Sequence, residues 1–164
     1  MYRVGIITSS DKGYAGQRED KSGKAIAEIM KKEGYIIEIY KILPDEQKVL
    51  HDEMKNLCDN NIVDLIITTG GTGFSKRDCT PEATLEVGER RVPGISEAIR
   101  AYSMQITKRA MLSRGVSVIR KDTLIINLPG SEKAVRESLN YIVSELEHGI
   151  KILKGDEAEC GSKI

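Results

Sequence analysis

The sequence predicts an α/β fold: a three-layer α/β/α arrangement around a mostly parallel sheet with an antiparallel edge hairpin. Three observations carry this expectation. Short apolar runs alternate with segments whose apolar residues recur at helical spacing, so the first half of the chain reads β-α-β-α-β. The segments between successive strands are long enough for helical crossovers, which parallel strands require and tight hairpins do not. Two later apolar runs flank the short polar pair Lys121-Asp122, as an edge hairpin would.

Taken in order, Tyr2-Arg-Val-Gly-Ile-Ile-Thr8 is the first strand, and residues 9–21, rich in Ser, Asp and Gly, are expected as a loop. A helix then starts at Ser22 or Gly23. Ala25, Ile26, Ile29 and Met30 form its inner face, Lys31 and Lys32 suit its C-terminal end, and Gly34 stops it. Residues 35–43 return as a strand that Pro44 and Asp45 break, and Val49, Leu50, Met54, Leu57 and Cys58 mark the inner face of the next helix.

Leu65, Ile66 and Ile67 form an apolar run suited to a core strand, after which Gly70, Gly71 and Gly73 let the backbone turn tightly and expose its N–H groups. Thr80 is placed as the N-cap of a following helix, with Pro81 at its first position and Glu82 in its first turn. Val92-Pro93-Gly94 breaks the chain before a second helical stretch containing Ile95, Ala98, Ile99 and Tyr102. Strands over 116–120 and 123–128 make the hairpin, and Ala134, Val135, Leu139, Ile142, Val143 and Leu146 stripe a last amphipathic helix. Residues 1–154 are thus expected as one domain, with 155–164 as a polar tail.

The 25 Lys plus Arg balance the 25 Asp plus Glu, so no overall field recruits nucleic acid or an anionic membrane, and any anion must be bound locally. Cys58, Cys79 and Cys160 are odd in number and far apart, which disfavours a disulfide framework and fits a reducing compartment. No run is long enough to span a bilayer and the first residues lack a signal-peptide pattern, so cytoplasmic residence is expected.

Ligands of an open parallel sheet bind beyond the carboxyl ends of its strands. Four such exits carry Ser9-Ser10-Asp11, Pro44-Asp45-Glu46, Gly70-Gly71-Thr72-Gly73 through Asp78, and Pro129-Gly130-Ser131. The glycine segment lacks the terminal lysine of a P-loop, and Lys76 stands where a dinucleotide fingerprint needs a third glycine. Its amides and the helix start after it nevertheless suit a phosphate. Carboxylates beside a phosphate repel it unless a cation lies between, so Asp45 and Asp78 are candidates to support hydrated Mg²⁺ in phosphoryl or nucleotidyl transfer.

Each of these residues also has a plainer reading. The glycines suit an ordinary strand-to-helix turn, Asp45 an N-cap after Pro44, Asp78 a turn, and Lys76 and Arg77 solvated loop charges. Ser131 suits a helix cap, although a cap at this rim can also face an anion. His51 and His148 lack partners at metal-ligand spacing.

Thr69-Gly-Gly-Thr-Gly73 followed by Arg77-Asp-Cys-Thr-Pro-Glu-Ala83 resembles the signature of the MogA/MoaB family of molybdenum-cofactor biosynthesis proteins. Thr8-Ser-Ser-Asp11, Asp20-Lys-Ser-Gly23, Leu43-Pro-Asp-Glu46, Pro93-Gly94 and Asn127-Leu-Pro-Gly130 fall in the same order. The resemblance implies a compact α/β domain in a homo-oligomer, usually a trimer. It also implies molybdopterin adenylyltransferase activity, in which the terminal phosphate of molybdopterin attacks the α-phosphate of Mg-ATP and pyrophosphate leaves, before another protein inserts the metal. Carried to matching positions, Asp45 and Asp78 become the catalytic and magnesium-supporting residues. Ser10, Asp11, Gly70, Gly71, Thr72, Gly73, Thr80, Glu82, Gly130 and Ser131 become candidates for substrate binding. Glu132 departs from the pattern, since a proline is common there, and a catalytically inactive molybdopterin-binding or assembly paralogue is the alternative it raises.

Overall fold

A computed structural model of the protein describes residues 1–156. The elements are β1 (Arg3–Ser9), α1 (Asp11–Tyr14), α2 (Lys21–Lys32), β2 (Ile36–Leu43), α3 (Gln47–Asp59), β3 (Leu65–Thr69), α4 (Thr80–Val87), β4 (Arg90–Arg91), α5 (Pro93–Met104), a 3₁₀ turn (Lys108–Leu112), β5 (Ser117–Arg120), β6 (Thr123–Leu128) and α6 (Glu132–Lys154). Gly155, at φ 76°, ends α6 in the left-handed conformation that glycine adopts without strain. Most of the expected polar tail, Cys160 included, lies outside the described residues. Among the described residues no helix is long and apolar enough to cross a membrane.

The sheet order is β2-β1-β3-β6-β5-β4. Strands β2, β1, β3 and β6 are mutually parallel, β5 runs antiparallel to β6, and β4 runs antiparallel to β5. The hairpin therefore lies at one side as expected, with β4 added outside it. Side chains along each central strand alternate between two helical layers. Ile6, Leu65, Ile67 and Ile126 pack with α2, α5 and α6, while Ile7, Ile66 and Ile125 pack with α3 and α4. Both faces are covered, so the middles of these strands are apolar on each side, and each fully buried Ile contributes about 1.5–3 kcal/mol of burial free energy.

Local differences from the sequence expectation have local causes. The segment after β1 is not all loop: Ser10 accepts the Gly13 amide at 3.0 Å and starts the single turn of α1. Helix α2 begins at Lys21, because Asp20 accepts the Gly23 amide at 2.9 Å. Thr80 is not the cap of α4. Cys79 holds the N-cap position without a side-chain bond, and Thr80 is the first helical residue, with its side chain fully buried.

Candidate active site

Pairing register brings the strand exits to one level. Thr8 pairs with Thr69, Thr69 with Leu128, and Ser9 with Leu43, so the four following loops leave the sheet side by side. From β1 the chain crosses to β2 on one side and returns to β3 on the other. Loops that diverge in this way open a crevice at the switch point. There a cleft of about 400 Å³ is lined by Thr8, Ser9, Ser10 and Gly13, by residues 18–22, by Thr69 and Gly70, and by Gly130 and Glu132.

The glycine turn forms one wall. Gly70 and Gly71 have φ 86° and 68°, conformations that disfavour any side chain, and a methyl on Gly70 would collide with the Ser9 carbonyl. Thr80 holds the turn from below, donating its hydroxyl to Gly70 O at 3.0 Å and its amide to Gly71 O at 3.2 Å. Thr69 donates its hydroxyl to Pro129 O at 2.6 Å, tying β3 to the last rim loop. Ser22 donates to Gly130 O at 2.6 Å and ties the same loop to α2.

Asp45 and Asp78 stand along this turn, beyond the cleft lining. A methyl on Gly71 would lie 3.3 Å from Asp45 Oδ1, and one on Gly73 would lie 3.0 Å from Asp78 Oδ2. Asp45 is no helix cap, since Glu46 occupies that position of α3. Its carboxylate instead accepts from the Ser9 hydroxyl at 2.7 Å and the Asp11 amide at 2.9 Å. Asp78 Oδ2 accepts the amides of Gly73 and Ser75, each at 3.1 Å. The Gly73 amide, expected to face an anion, is thus committed to Asp78. Thr72 is buried, and its carbonyl accepts the Arg114 amide at 2.9 Å.

Arg77 is more than a solvated loop charge. It grips Asp11 through two bonds of 3.0 Å, and this guanidinium bond is the first cause holding the Asp11 carboxyl below its ordinary range. Ser131 caps α6 by accepting the Ala134 amide at 3.2 Å. Glu132 lines the cleft, with Arg136 3.3 Å away as its partner. Glu82 pairs with Arg114.

Two residues of this rim are not singled out by the sequence reading. Asp20 accepts from the Thr8 hydroxyl at 2.6 Å and the Tyr40 hydroxyl at 2.5 Å, and it forms part of the cleft wall. Its motif Asp20-Lys-Ser-Gly23 is the signal that could have found it. Arg114 reaches the glycine loop from a distant segment with no local motif.

Among the described residues no three His, Cys, Asp or Glu side chains form a metal cluster. The carboxylates present suit a different arrangement. Magnesium takes hard oxygen donors, commonly one or two carboxylates completed by water and substrate phosphate, and Asp45 and Asp78 are donors of that type.

The fold and site define an α/β protein with a polar cleft at the switch point of its sheet and two carboxylates along the adjoining glycine turn. The family described as "Probable molybdopterin binding domain" matches residues 5–148, and the chain belongs to this family. It is 36% identical to a molybdopterin adenylyltransferase of Helicobacter pylori, over 98% of this chain and 92% of that protein. It is 39% identical to a molybdopterin adenylyltransferase of Escherichia coli K12, over 99% of this chain and 90% of that protein. The crystal structure of the molybdopterin biosynthesis enzyme MoaB from Thermus thermophilus superposes with a TM-score of 0.89 at 43% identity, covering 94% of this chain and 98% of that one.

Proposed function

We propose that this protein is a molybdopterin adenylyltransferase, transferring AMP from Mg-ATP to the terminal phosphate of molybdopterin with release of pyrophosphate. The observation that carries the reading is the alignment of Asp45 and Asp78 along one glycine turn beside the switch-point cleft, in a chain similar over nearly its whole length to enzymes of that name.

In this mechanism an oxygen of the molybdopterin phosphate forms a bond to the α-phosphorus of ATP. The bond from that phosphorus to the oxygen bridging the β-phosphate breaks, and pyrophosphate leaves with the electron pair. The attacking phosphate is already an oxyanion, so no strong base is needed and rate comes from alignment and charge neutralisation. Asp45, fixed by Ser9 and the Asp11 amide, and Asp78, fixed by two loop amides, would hold magnesium through carboxylate oxygens. The ion, when bound, offsets the charge that builds on the phosphates. Ser10, Gly70 and Gly130 line the cleft and would contact substrate there.

The reading extends to a cytoplasmic homo-oligomer, a trimer, that passes its product to a molybdenum insertion protein. Met104, Ile106, Met111 and Leu112 are 42–59% exposed in the single chain and suit burial against another copy. The free Cys58 and Cys79 fit a reducing compartment. Incubation with molybdopterin, ATP and Mg²⁺ tests the activity. The expected products are adenylylated molybdopterin and pyrophosphate in equal amounts, and folded protein that binds molybdopterin without consuming ATP would overturn the reading.

A further inference from the structure

We propose that Arg114 is the positioning residue that sets the orientation of Asp78. It lies between the 3₁₀ turn and β5, far along the chain from the glycine loop, yet it contacts that loop at both ends. Its amide donates to Thr72 O at 2.9 Å, Nε to Gly73 O at 2.7 Å and Nη2 to Asp78 O at 3.0 Å, while Nη1 pairs with Glu82 in the first turn of α4.

The loop's own bonds complete a closed arrangement. Gly73 accepts from Arg114 through its carbonyl and donates to Asp78 Oδ2 through its amide. Asp78 accepts from Arg114 through its carbonyl and from Gly73 and Ser75 through its carboxylate. Both donors to the carboxylate use Oδ2, and neither uses Oδ1. The segment bearing Arg114 is itself held, because Arg100 of α5 donates to Gly115 O at 2.7 Å. The guanidinium charge is offset by Glu82, which marks it as a clamp rather than a phosphate binder. A planar fork with fixed donor directions satisfies two carbonyls and a carboxylate together, and a lysine ammonium on a flexible stem does not.

The activity arm of the test rests on the adenylyl-transfer reading, and the exchange arm does not. In Arg114→Lys, amide exchange followed by NMR is expected to quicken about tenfold or more at Gly73 and Ser75, with amides of β3 and β6 within about twofold of the parent. The kcat of AMP transfer falls about tenfold or more with KM within about threefold, and Arg114→Lys combined with Asp78→Asn is no slower than Asp78→Asn alone. Unchanged exchange at Gly73 and Ser75 overturns the proposal, as does a parallel loss of protection across β3 and β6, or an unchanged kcat with the loop amides freed. Should the parent transfer no AMP, the functional reading fails, while the exchange result still decides whether Arg114 orders the Asp78 loop.

Discussion

Asp11 and Asp45 hold each other through each other's backbone: the Asp11 amide donates to Asp45 Oδ2 at 2.9 Å, and the Asp45 amide donates to Asp11 Oδ1 at 3.0 Å. Arg77, one residue before Asp78, closes on the same Asp11 carboxylate. The three strand exits after β1, β2 and β3 are thereby tied into one rim. Asp11→Ala removes the acceptor for the Asp45 amide and the two bonds to Arg77, whereas Asp11→Asn keeps an oxygen acceptor. Turnover is expected in the order parent, Asn, Ala, with the Ala variant about tenfold or more slower, because small misplacements of catalytic groups are costly. Steady-state pyrophosphate release checks the order, and an Ala variant as fast as the parent would remove Asp11 from the account.

Asp78→Asn keeps an oxygen that can accept the Gly73 and Ser75 amides but deletes the charge. The loop should stay folded while kcat falls about 100-fold or more, the scale of losing one electrostatic contributor to a transition state. Molybdopterin affinity, read by titration, should change far less than turnover. Comparable losses in both would assign Asp78 to ground-state binding instead.

Gly70 and Gly71 test the turn itself. Alanine at either position meets a positive φ and a collision, with the Ser9 carbonyl at Gly70 and with the Thr80 hydroxyl at Gly71. Each substitution should destabilise the protein by about 1–3 kcal/mol and impair transfer, since strain of this kind has that size. Denaturant melts measure the first effect. Gly16, also at positive φ but with open space around it, is the control, and its alanine variant should cost less.

Asp64 gives the acid dependence. Burial alone would raise its pKa, but bonds from Arg3, at 2.8 Å through the amide and 3.0 Å through the guanidinium, and from Lys154 at 2.6 Å outweigh it and bring the value down from 3.8 to about 2. A folded-state pKa below the unfolded one stabilises the protein above the unfolded value and is lost as pH falls through the folded one. Asp64 should therefore contribute about 2 kcal/mol at neutral pH that disappears between about pH 4 and pH 2. Asp59, lowered to about 2 first by its bond to Arg120, titrates in the same window. The drop in Tm over that range should be shallower in Asp64→Asn than in the parent, and equal slopes would contradict the assignment.

Much of this architecture is legible in the chain because its signals are local. The apolar run at Leu65-Ile-Ile67, the stripe of α6 and the Lys121-Asp122 turn each declare themselves within a few residues. Strand β4 does not, since two arginines carry no periodicity and pair only because β5 lies beside them. Thr80 misleads for a related reason. Its local sequence is that of a cap, but its hydroxyl is drawn inward to Gly70 O by the packing of the glycine turn against α4. Asp45 reads locally as either a cap or a site residue, and only the long-range bonds to Ser9 and Asp11 separate the two. Arg114 is invisible in the sequence because its bonding partners lie dozens of positions away, so no spacing rule reaches it.

In the proposed reaction the two carboxylates along the glycine turn serve AMP transfer onto molybdopterin. The most direct measurement of that role is a single-turnover reaction with molybdopterin, Mg²⁺ and ATP labelled at either the α- or the γ-phosphate, run on the parent, Asp45→Asn and Asp78→Asn. The parent is expected to move α-label and no γ-label into the pterin product, and both variants to bind molybdopterin but transfer little. Transfer of γ-label, no transfer by folded parent protein, or undiminished transfer by both variants would contradict the assignment.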